Sequence, residues 1–180
     1  MTGAQPAGQG ITGTPPAAPG TSGVMVIGIG NPWRGDDGAG LAVAALVRQS
    51  APPGVTAVDL EGELVSLLDT WEGVAEVYLV DAVCSGGAPG TVYEFDAREG
   101  LPAGPFGNRG THTFSIADTI ELARALGRLP GRLRGYGIEG ASFGAGTGLS
   151  PPVAAGVRDV ASRLLAGLAA AGTPPEEAPS

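Results

Sequence analysis

The sequence predicts an α/β fold, a sandwich of helices around a largely parallel sheet. Two observations carry this. Apolar runs with strand character alternate with segments whose apolar residues recur at helical spacing. One run, "VAEVYLVDAV", is rich in β-branched residues, as a strand covered on both faces requires.

Five strand candidates, residues 24–30, 55–60, 74–83, 91–97 and 134–140, interleave with helix candidates 38–49, 63–71, 115–126 and 152–171. The first strand, "VMVIGIG", runs into the glycine-rich turn "GNPWRGDDGAG", which bends the chain into the first helix. Ser115 and Asp118 form a capping box ahead of Ile116, Ile120 and Ala123, which share one helical face. Ser150, followed by Pro151 and Pro152, opens the last helix, where Val153, Val157, Val160 and Leu164 line one side. Residues 98–111 form a long irregular loop of the kind that serves a site.

These elements fill one domain, residues 23–172, between two tails expected to be disordered. Residues 1–22 consist of Gly, Pro, Ala, Thr, Ser and Gln with almost no large apolar side chain, and residues 173–180 are short and acidic. Apolar residues make up 43% of the chain, enough for a real core over one domain. The formal net charge is −8, and all ten basic residues are arginines. That balance argues against nucleic acid and anionic membrane, which need a positive field. The single cysteine, Cys84, fits a reducing compartment. With no signal-peptide pattern at the start and no apolar run of spanning length, the expected location is cytoplasmic.

In open α/β sheets, sites form beyond the carboxyl ends of strands. Four groups fall there on this reading: Asp36 and Asp37 after the first strand, Asp81 near the end of "VYLVD", and His112 ahead of the Ser115 helix. The loop does not fit the dinucleotide fingerprint. The G-x-G-x-x-G pattern that begins at Gly28 fails at Trp33, and aspartates stand where a pyrophosphate would lie. Two carboxylates and an imidazole suit a borderline divalent ion such as nickel or zinc. Each residue also has a plainer use. Asp36 or Asp37 can cap the helix from Gly38, Asp81 can satisfy backbone donors at a strand end, and His112 can bond within its loop. Cys84 with His112, and Asp81 as orienter, would make a thiol peptidase dyad. Against it, a free cysteine is usually a small buried hydrophobe, and nothing basic surrounds "AVCSGG".

Taken in order, "VIGIGNPWRGDDGAGLAVAALV", "VYLVDAV", "THTFS", "GYGIEG" and "GLSPPVAAGV" resemble the hydrogenase maturation proteases. These endopeptidases trim the C-terminus of the large subunit of [NiFe] hydrogenases. The peptidyl-tRNA hydrolases share only the strand ending in G-x-G-N-P; beyond Pro32 that similarity stops. The resemblance implies a three-layer α/β/α sandwich on a twisted, mainly parallel sheet. It implies nickel delivered by the precursor and contacted by Asp37, Asp81 and His112, the same residues serving as the catalytic set. Asp36 is implied to be structural or to support the contacting residues from behind. The implied partner is the large-subunit precursor, with no nucleic acid and no membrane. A non-catalytic checkpoint that binds nickel-loaded precursor uses the same three residues and stays open at this point.

Overall fold

The computed structural model describes residues 23–61, 66–100 and 115–171. The expected tails and His112 lie outside them, as does most of the 98–111 loop. Five strands, β1 (Val24–Ile29), β2 (Val55–Leu60), β3 (Glu76–Val83), β4 (Val92–Asp96) and β5 (Arg132–Glu139), form one sheet in the order β2-β1-β3-β5-β4. The pairs β1–β2, β1–β3 and β3–β5 are parallel, and β4 joins β5 antiparallel at one edge. Four α-helices flank the sheet: α1 (Ala39–Ser50), α2 (Leu67–Thr70), α3 (Ile116–Ala125) and α4 (Pro151–Ala171).

Side-chain alternation along each strand divides the core between two faces. Met25, Ile27 and Ile29 of β1 and Val77 and Leu79 of β3 pack with Leu67, Trp71 and Ile120, beneath α2 and α3. Val26 and Val80 point the other way and pack with Val43, Val47, Val157 and Leu164 of α1 and α4. Three layers result, as the sequence predicts.

The differences from the sequence reading have local causes. β3 starts at Glu76, two residues late, because the Val74 N–H is used to close a turn on the Trp71 carbonyl. β5 starts at Arg132, two residues early, because Arg132 and Leu133 find register partners in Glu76 and Val77. Of the helix expected over 63–71, the described part is a single turn, Leu67–Thr70. The capping box at Ser115 and Asp118 is present as expected.

Two close approaches set the first loop over the sheet. A Cβ on Gly40 would collide with the carbonyl oxygens of Ile29 and Val80, so only glycine lets α1 sit down on the ends of β1 and β3. A Cβ on Gly30 would strike the Asp37 carbonyl, so the chain after β1 must also be bare where it doubles back.

Candidate active site at the carboxyl edge of the sheet

Among the described residues four acidic side chains are buried: Asp36, Asp37, Asp81 and Glu139. All four lie at the carboxyl edge of the parallel strands. Asp36 and Asp37 belong to a 3-10 turn, Gly35–Gly38, that follows β1. Asp81 is in the last turn-ward half of β3, and Glu139 ends β5. The turn packs against β3.

Neither aspartate of the turn caps α1. The N-cap position is Gly38, and no side chain bonds there. Asp36 is fully buried and reaches across to the β5–α4 connection instead. Its carboxylate accepts the main-chain N–H groups of Ala141 (2.9 Å), Ser142 (2.9 Å) and Ser150 (2.7 Å), and the Ser150 hydroxyl (3.0 Å). Burial pushes its pKa up, but these donors outweigh burial and hold it below the usual carboxylate range. The structural role implied for Asp36 is what the geometry gives.

Asp37 is held differently. Its N–H bonds to the Arg34 carbonyl, and its own carbonyl accepts from Asn31 N–H, which folds the turn back over Gly30. Its carboxylate stands 3.7 Å from the half-exposed Arg34 guanidinium. Asp81 occupies the strand next to β1, and its Oδ1 accepts the N–H of Ala82 at 2.8 Å. Strand alternation puts Asp81 on the same face as Val77, Leu79 and Val83, the face covered by α2 and α3. Ten-residue α3 ends near the amino edge, where the Arg132 N–H meets the Ala75 carbonyl, so its Ser115 cap lies toward the carboxyl edge. His112 comes three residues before that cap in sequence. Among the described residues, no three His, Cys, Asp or Glu side chains group as a metal site.

Glu139 is the residue that sequence reasoning missed. It is almost fully buried, and its carboxylate accepts N–H groups of Ser85 (2.8 Å), Gly86 (2.9 Å) and Gly87 (3.2 Å) plus the Ser85 hydroxyl (2.6 Å). Burial raises its pKa, and these donors more than reverse that, leaving it lowered. The signal was present in "GYGIEG", an acid near the end of an apolar strand, as Asp81 is in "VYLVDAV". Glu139 fixes the turn after β3 as Asp36 fixes the loop after β5. Cys84, in the turn that Glu139 fixes, is exposed. The expectation of a small buried hydrophobe is therefore corrected: backbone bonds from the next three residues to Glu139 carry the chain outward as soon as β3 ends.

A family model for the hydrogenase maturation proteases matches residues 41–167. The chain belongs to that family. As a hydrogenase maturation protease it is a peptidase. The matched span includes Asp81, His112 and Glu139 and begins four residues after Asp37. Among solved structures, the chain is similar to the hydrogenase maturating endopeptidase HybD from E. coli. Identity is 27% over 83% of this chain and 94% of that one, with a TM-score of 0.69. It is similar to an Escherichia coli endopeptidase solved in solution, at 27% identity over 84% and 94%, TM-score 0.70. A hydrogenase 2 maturation peptidase from a Thaumarchaeota archaeon is 26% identical over 82% and 99%, TM-score 0.59. Comparison with curated proteins gives no match. No helix among the described residues of this maturation protease is long and apolar enough to cross a membrane.

Proposed function

We propose that this protease removes the C-terminal extension of a [NiFe] hydrogenase large-subunit precursor and recognises the nickel already seated in that substrate. The observation that carries the reading is the placement of two buried carboxylates, Asp37 and Asp81, at the carboxyl ends of neighbouring parallel strands. With His112, which lies outside the described residues, they would supply a mixed oxygen and nitrogen donor set suited to a borderline divalent ion. Asp36 and Glu139, saturated by backbone donors, hold the surrounding loops in place.

Recognition follows from charge. Nickel-loaded precursor brings a divalent cation to an edge rich in buried carboxylates, and empty precursor brings none, so the loaded form gains a favourable charge interaction that the empty form lacks. In the hydrolytic step, water attacks the scissile carbonyl carbon while a carboxylate takes its proton. The C–N bond then breaks, and the proton passes to the leaving amine. The substrate's nickel polarises the carbonyl or the water. No protein nucleophile is needed.

The test is incubation of nickel-loaded and nickel-free precursor with the protein, followed by mass spectrometry of the large subunit. Loss of a C-terminal peptide from the loaded form alone supports the proposal. An unchanged mass in a stable complex means the chain acts as a checkpoint rather than a protease.

A further inference from the structure

Trp33 is 68% exposed, and only one other large apolar side chain among the described residues, Leu126, is comparably open. Leu126 terminates α3 at the amino edge of the sheet, away from the buried carboxylates. A single exposed leucine at a helix end needs no explanation. Trp33 is different because of where it stands and how its main chain is held.

Its N–H donates to Asn31 Oδ1 at 2.9 Å, and its carbonyl accepts the N–H of Gly146 at 3.0 Å. Gly35 then donates to the Gly146 carbonyl at 2.9 Å, and Arg34 and Gly146 form a parallel bridge. Asp36, three residues on, is clamped to Ala141, Ser142 and Ser150. The main chain at Trp33 is thus fixed from both sides. Within the described residues its hydrogen bonds use the main chain and leave the indole facing outward. Asp37 lies four positions further along the chain, a span of at most about 14 Å. A polypeptide that presents a group to Asp37 therefore comes within that reach of Trp33.

We propose that Trp33 is the docking anchor of the protease: its indole seats in an apolar cleft of the large-subunit precursor, beside the metal centre that Asp37 addresses. This rests on the processing function proposed above. The physical case is that an aromatic ring on pre-fixed backbone buries a large area on binding at a small ordering cost, which is how interface hot spots arise. The occupant is the substrate itself, because the ring and the buried aspartate belong to one short, rigid loop. Trp33 is a positioning residue, and its loss removes binding shared by ground state and transition state.

The experiment pairs kinetics with fluorescence, using the full chain and nickel-loaded large-subunit precursor. Trp33→Ala is expected to raise KM about 10-fold or more with kcat within about twofold, and Trp33→Phe to recover most of the loss. The chain has two tryptophans, and Trp71 is buried in the core, so acrylamide-quenchable emission reports Trp33. In an Asp81→Asn background, expected to slow cleavage at least about 100-fold, the emission that Trp33→Phe lacks becomes shielded when precursor is added. Unchanged KM in Trp33→Ala, or a loss confined to kcat, overturns the anchor, as does a Trp33 still fully quenchable in the complex. If the wild type leaves nickel-loaded precursor uncut, the processing function fails, and shielding of Trp33 by that precursor still decides the docking.

Discussion

Ser150 donates both its main-chain N–H and its hydroxyl to the buried carboxylate of Asp36, across 114 residues of sequence. The residue just before α4 is thereby tied to the turn just after β1. Ala141 and Ser142 donate to the same carboxylate, so one side chain holds together the two loops that flank the carboxyl edge.

Asp36→Asn should lower stability by about 2–3 kcal/mol, since an amide cannot accept all of these donors and points its own N–H groups at some of them. Urea unfolding measures the loss, and amide exchange should speed up at Ala141, Ser142 and Ser150. Unaltered exchange at those three positions would contradict the clamp.

Glu139→Gln should loosen the turn after β3 in the same manner, at a cost of about 2 kcal/mol. The effect should be local, with faster exchange at Ser85, Gly86 and Gly87 and little change around Ser150. A uniform effect over both loops would mean that the two carboxylates do not act independently.

Both carboxylates titrate below their ordinary values in the folded chain. A group with a lowered folded pKa contributes stability that is complete above its unfolded value and is lost as pH falls through the folded one. Stability should therefore hold at neutral pH and begin to fall below about pH 4, with the two rim loops opening first. Exchange measured from neutral to acid pH checks the order. Removing both groups, in Asp36→Asn with Glu139→Gln, should flatten the acid limb.

Cys84→Ser should process precursor at close to the wild-type rate, whereas Asp81→Asn should lose at least about 100-fold. The exposed thiol makes this comparison decisive, because exposure removes the burial argument against a nucleophile. Full loss in Cys84→Ser with retained activity in Asp81→Asn would establish a thiol mechanism.

Asp37→Asn should reduce the preference for nickel-loaded over nickel-free precursor more than it reduces binding of the empty form. The variant removes a carboxylate that attracts the cation and that stands 3.7 Å from the Arg34 guanidinium. Competition between the two precursor forms, read by mass spectrometry, measures the change.

Much of the architecture was legible because it is local. β-Branched runs, helical spacing and the Ser115–Asp118 box place five strands and the helices within two residues at most described ends, since propensity and capping act over a few positions. The acids at strand ends were legible for the same reason, and they drew attention to Asp37 and Asp81. What the tertiary structure decided was the use of each acid. Asp36 and Asp37 are neighbours in an identical sequence setting, yet Asp36 is consumed by donors 105 to 114 residues away while Asp37 faces Arg34. Glu139 was passed over, and Cys84 was expected inside, because each depends on a turn 52 to 54 residues distant from Glu139. A buried carboxylate must find donors wherever the fold brings them, and no local pattern records which loops will arrive.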